Sequence, residues 1–110
     1  MITQKDLDSL SDRKVYVLET HEGKCIFVAS GGSLETRQIN FLATLVHSKE
    51  GEEDFCIGRD IDRNSPYSGL YVHSGASIRK PTIKEYLGFL KVMKDNKISY
   101  NRKRKEVKKL

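Results

Sequence analysis

The residues most able to do chemistry in this chain are cations, and they gather at one end. Arg102-Lys103-Arg104-Lys105 is an uninterrupted block, with Lys108 and Lys109 behind it and Lys91, Lys94 and Lys97 ahead of it. Residues 79–110 hold 12 Lys/Arg against 3 Asp/Glu, whereas residues 1–78 hold 8 against 12. A block of like charge repels itself, stays solvated and is drawn to polyanions. Cations that neutralise phosphates release counterions, which makes such binding steeply salt-dependent. Tyr100 sits at the edge of the block, where its ring could stack on a base. The expected nucleic-acid contacts are therefore Lys94, Lys97, Tyr100, Arg102, Lys103, Arg104 and Lys105. No helix-turn-helix, zinc-finger or RNP pattern accompanies them, so nothing here encodes base specificity. The same cations would also suit an acidic protein surface.

A second polar cluster is Arg59-Asp60-Ile61-Asp62-Arg63-Asn64, followed by a loop of Ser, Pro, Tyr and Gly. Asp60, Asp62 and Asn64 copy the first three ligand positions of a calcium loop. Its sixth position would be Ser65 rather than Gly, and its twelfth Tyr71 rather than Glu. The glycine makes the turn and the glutamate supplies two oxygens, so no metal site is expected. The opposed charges read instead as pairing with one another. Arg59, Asp60, Asp62, Arg63 and Tyr67 then become the expected partner-binding residues of a competing reading. In that reading the chain is a protein–protein module, an adaptor or inhibitor, that uses the acidic 50–54 turn and the 59–69 loop.

Catalytic patterns are weaker. His47-Ser48 and His73-Ser74 place histidine and serine side by side, not with the one-residue gap of two-histidine phosphoesterases. His73, Ser74 and Asp60 could meet as a nucleophile, base and orienting acid only if the fold brought them together, and no nucleophile-elbow sequence supports that. Ser30-Gly31-Gly32-Ser33 and Ser74-Gly75-Ala76-Ser77 could offer backbone N–H groups to an anion, but neither matches a phosphate-loop or dinucleotide fingerprint. Cys25 and Cys56 lie among apolar residues and read as reduced core thiols, without the histidine spacing that zinc needs. No catalytic residue, cofactor or metal is assigned.

Elements must position these groups. Lys14–Thr20 and Lys24–Ser30 are rich in Val, Ile, Tyr and Phe around His21-Glu22-Gly23, which predicts a hairpin. Val15 and Val17 face one way and Tyr16 and Leu18 the other, as in a strand covered on both sides. Thr82 followed by Glu85 is a capping box, and Ile83, Tyr86, Leu87, Leu90 and Met93 form a helical stripe, so 82–96 reads as a helix. Thr3 and Asp6 suggest a short N-terminal helix over 3–12. Ile98-Ser99-Tyr100 suggests a last short strand. Asp54–Asp60 and Gly69–Ser74 read as a further hairpin across the 62–69 loop.

Phe27-Val28-Ala29-Ser30-Gly31-Gly32-Ser33 resembles Tyr71-Val72-His73-Ser74-Gly75-Ala76-Ser77 at a shift of 44 positions. The same shift maps Ile39, Leu42, Ala43 and Val46 onto Ile83, Tyr86, Leu87 and Leu90. This predicts a duplicated strand–loop–helix unit and places a helix over 34–48, although Ile39, Phe41, Ala43 and Leu45 also alternate as a strand would. The expected fold is α+β: two ββα pseudo-repeats forming an antiparallel sheet with two helices on one face. Residues 1–100 would be one compact domain and 101–110 a basic tail. With 110 residues, no apolar run of membrane-spanning length and a polar N-terminus, the expectation is a cytoplasmic, non-enzymatic regulatory protein. Free strand edges could pair two copies into a homodimer.

Overall fold

A computed structural model of the chain describes residues 2–67 and 69–110. Among the described residues the fold is α+β, with antiparallel sheets and two α-helices. Helix α1 (Gln4–Asp8) leads through a 3₁₀ turn (Ser9–Asp12) into β1 (Val15–Thr20), β2 (Gly23–Ser33), β3 (Gln38–Ser48) and β4 (Glu53–Ile57). Short strands β5 (Leu70–Tyr71) and β6 (Ser77–Arg79) precede α2 (Ile83–Asp95), and β7 (Ile98–Asn101) and β8 (Glu106–Lys109) complete the chain. The main sheet runs β4-β3-β2-β1-β6, with β5 on the far end of β3, and β7-β8 forms a separate two-stranded ribbon. No helix among the described residues is long and apolar enough to cross a membrane.

The predicted hairpin is present: β1 pairs with β2 from Val15↔Val28 to Thr20↔Gly23. Its strands are covered on both faces, as their apolar residues at both parities require. Tyr16, Leu18, Phe27 and Ala29 meet Leu7 and Leu10 of the N-terminal segment in one core. Val15, Val17, Ile26 and Val28 meet Phe89 and Met93 of α2, Ile98 and Val107 in the other. The two α-helices therefore lie on opposite faces of the sheet.

The helix expected over 34–48 is instead strand β3, and with it the duplicated unit is lost. Residues 34–37 form the turn of a second hairpin, closed by Arg37 N–H donating to the Leu34 carbonyl, with Arg37 in the left-handed region at φ 54°. The register of β2 on β3 shifts twice, so that Ser30 and Leu42 are left out of the ladder. A bulge reverses the face of every later residue. Ile39 and Phe41 accordingly join the α1 core, while Ala43 and Leu45 join the α2 core. Ser30-Gly31-Gly32-Ser33 is thus part of a bulged strand, not a strand-to-helix turn. Gly32 lies against Leu7, where an added Cβ would stand 3.5 Å from the Leu7 Cβ and 3.1 Å from the Gln38 carbonyl oxygen.

The second expected hairpin also differs. β4 and β5 both pair with β3 and not with each other. Both capping boxes are formed: Thr3 Oγ1 accepts from Asp6 N and Thr82 Oγ1 from Glu85 N, with each acid accepting from its partner's backbone N–H. The buried stripe of α2 is rotated from the expected one. Phe89 and Met93 are inside, Tyr86 and Leu90 are partly covered, and Ile83 and Leu87 are exposed.

Candidate nucleic-acid interface

The four-cation block is not a free tail. Asn101 pairs with Glu106, so Arg102, Lys103, Arg104 and Lys105 are the four-residue turn at the tip of the β7–β8 ribbon. Arg104 N–H donates to Asn101 Oδ1 at 3.0 Å, and Lys105 takes the left-handed conformation at φ 55° that brings the chain back. One face of the ribbon presents Ile98, Tyr100 and Val107 to the core around α2. At its base, Leu110 N–H donates to the Lys97 carbonyl, and Lys109 Nζ meets Asp62 Oδ2 at 2.9 Å. The tip cations have no carboxylate within ion-pair distance among the described residues.

Beside the tip lies a cleft of about 510 Å³ between the start of β1, the N-terminus of α2 and the ribbon. Three tyrosines, Tyr16, Tyr86 and Tyr100, and four cations, Lys14, Lys80, Arg102 and Lys105, contribute to its walls. The Arg102 guanidinium stands over the Tyr86 ring at 6.0 Å, a cation–π distance. The Tyr100 hydroxyl donates to the Arg13 carbonyl at 2.8 Å and the Tyr16 hydroxyl to Asp12 Oδ2 at 2.6 Å. Burial, helped by the Asp12 carboxylate, pushes the Tyr16 phenol up to about 12, and burial also raises Tyr100. Both phenols are therefore neutral at ordinary pH.

The nearest carboxylate on α2 is occupied. Glu85 accepts from Arg79 Nη1 and Nη2 at 2.8 and 2.9 Å, from Lys24 Nζ at 2.8 Å and from Thr82 N–H at 2.8 Å. Arg79 also reaches both Glu19 oxygens at 3.3 Å. Hydrogen bonds from Arg79, reinforced by Lys24 and the Thr82 N–H, hold the Glu85 carboxyl far below the usual carboxylate range. This joint fixes β6, β2 and the helix start together and keeps a negative charge out of the cleft.

The sequence-predicted residues divide accordingly. Tyr100, Arg102 and Lys105 line the cleft, and Lys103 and Arg104 are exposed at the tip beside it. Lys94, in the last turn of α2, and Lys97, in the left-handed turn after it, sit at the ribbon's other end. Four residues of strand, about 13 Å, separate them from the tip. Sequence reading missed Lys14, Lys80, Tyr16 and Tyr86. Tyr16 and Tyr86 carried signals, as aromatic residues of a doubly covered strand and of the helix stripe, and those placed both in the core.

Within the 59–69 loop, of which Ser68 lies outside the described residues, residues 58–65 form a compact turn. Ile61 and Asp62 N–H groups donate to the Gly58 carbonyl, Ser65 Oγ donates to the Ile57 carbonyl, and Arg59 Nε donates to the Ser65 carbonyl at 3.1 Å. Asp62 faces the ribbon, where Lys109 and the Asn64 N–H hold its carboxyl below its usual range. Arg59, Asp60, Arg63 and Tyr67 are exposed. His73, Ser74 and Asp60 are exposed too, with the His73 ring edge-on to Tyr71 at 4.7 Å. No family model, curated protein or solved structure matches this chain.

Proposed function

We propose that this protein is a small non-enzymatic binding module for nucleic acid or a related polyanion, acting through the β7–β8 ribbon. The observation that carries the reading is the ribbon tip, where four consecutive cations are held in one turn without a carboxylate partner among the described residues. Phosphates are the complementary ligand: they accept hydrogen bonds from Arg and Lys and relieve the repulsion within the turn. The cleft extends the positive surface with Lys14 and Lys80. Lys94 and Lys97 reach a phosphate chain only if it follows the ribbon to its base.

The test is a salt titration of binding to an oligonucleotide. Each single-strand phosphate neutralised contributes about −0.7 to the slope of log affinity against log salt. Four tip contacts therefore account for a slope of about −2.8. Replacing Arg102, Lys103, Arg104 and Lys105 together by Gln should flatten the slope by that amount. Affinity that does not respond to salt, or a variant with the wild-type slope, would refute the assignment.

A further inference from the structure

We infer, on the basis of that reading, that the cleft beside the ribbon seats an unpaired base, which makes single-stranded nucleic acid the preferred ligand. The argument rests on three features of the cleft. Its volume of about 510 Å³ lies in the range of small-ligand sites and suits a nucleotide, not the width of a duplex. Its aromatic content is directed to stacking. The Tyr100 hydroxyl is engaged by the Arg13 carbonyl, so this side chain offers the cleft ring surface and not a hydrogen-bonding tip. Stacking on tyrosine or on a guanidinium plane tolerates any base, in keeping with a chain that carries no sequence-reading motif. Arg102 over Tyr86 supplies both kinds of plane at one point.

The third feature is charge. Lys14, Lys80, Arg102 and Lys105 surround the rings, and none forms an ion pair among the described residues. The acids nearby are already bound, Glu85 by Arg79 and Lys24, and Asp12 by the Tyr16 hydroxyl and the Lys14 N–H. A flexible strand can place a base on the rings and its flanking phosphates on these cations. A duplex must first extrude a base, at a cost of a few kcal/mol.

Three probes separate this inference from the broader one: an oligothymidylate of about 12 nucleotides, a duplex of equal length, and inorganic polyphosphate. The chain has 5 Tyr and no Trp, so its emission reports tyrosine directly. The oligothymidylate should quench that emission and bind at least tenfold more tightly than the other two. Tyr86→Leu should weaken oligothymidylate binding by about 5- to 150-fold, the range for one lost stack, and weaken polyphosphate binding by less, through Arg102 alone. Tyr86→Phe, which keeps the ring, should retain the affinity. If Tyr86→Leu does not fold, quenching and probe preference in the unmodified chain decide the matter. Equal binding of all three probes, or unquenched emission at saturation, overturns the stacking inference and leaves the polyanion reading standing. Failure of every probe at low salt overturns both.

Discussion

Replacing Glu85 by Gln tests whether the joint between β2, β6 and α2 holds the binding face together. The carboxylate is 10% exposed and accepts four hydrogen bonds, three of them from Arg79 and Lys24. Gln keeps the shape and can still accept from the Thr82 N–H, so the cap survives and the charge is lost. A hydrogen bond to a charged group contributes about 1.5–3 kcal/mol net. The loss stays near the low end, because Arg79 retains Glu19 and Lys24, one-third exposed, can turn to water. The expected destabilisation at pH 7 is about 2 kcal/mol. The Glu85 carboxyl is depressed in the folded state, so its stabilisation is complete above the unfolded value of about 4.3 and is lost as pH falls toward the folded one. Over that interval the unmodified chain loses about 1.4 kcal/mol per pH unit that the variant does not. The gap of about 2 kcal/mol should therefore close to nearly zero around pH 3. Urea unfolding at pH 7 and pH 3, with unchanged m-values, measures both numbers. A gap below about 0.5 kcal/mol at pH 7, or one that is the same at both pH values, would refute the reasoning.

Two further substitutions test the packing that carries the site. Phe89→Ala empties a fully buried position between α2 and the sheet and should cost about 3–5 kcal/mol, whereas Leu87→Ser, on the exposed side, should stay within about 0.5 kcal/mol; comparable costs in thermal melts would mean that the helix is rotated from the orientation described. Gly58→Ala places a Cβ against the Phe41 carbonyl oxygen, a backbone atom that cannot step aside, so a loss of about 1–3 kcal/mol is expected by urea titration, and an unchanged midpoint would contradict that approach.

What the sequence revealed and what it hid follow from one physical difference. Signals made by particular residue types at a fixed offset came through: Thr3 with Asp6 and Thr82 with Glu85 marked both helix starts, and His21-Glu22-Gly23 marked the first hairpin, although Gly23 is already paired with Thr20. Signals that depend on periodicity failed where the sheet is covered twice. In β3, Ile39, Leu42, Ala43 and Val46 satisfy a helical stripe only because a strand buried on both faces can be apolar anywhere, and the bulge at Leu42 breaks the remaining alternation. Composition identified the cationic end, and Arg102–Lys105 with Tyr100 stand together. It could not reveal Lys14 and Lys80, which are brought to the same cleft by β1 and the α2 approach across long sequence separations. Nor could it show that the block is a turn, since the pairing that makes it one lies in Val107 opposite Tyr100.

That pairing changes the physics of the cationic end. A solvated tail would lose conformational freedom when it met a phosphate chain, at about 1–2 kcal/mol per ordered backbone residue. The ribbon has already met that cost through Ile98 and Val107 in the core, the Tyr100 hydroxyl on Arg13 and Lys109 on Asp62. It also makes the terminal cations unequal. Lys108 and Lys109 face Glu106 and Asp62, and Lys94 and Lys97 stand at the base, which leaves the turn and the cleft as the concentrated source of unpaired charge. Affinity should then follow position and not total charge, because a phosphate gains most from cations that are preorganised and not already paired.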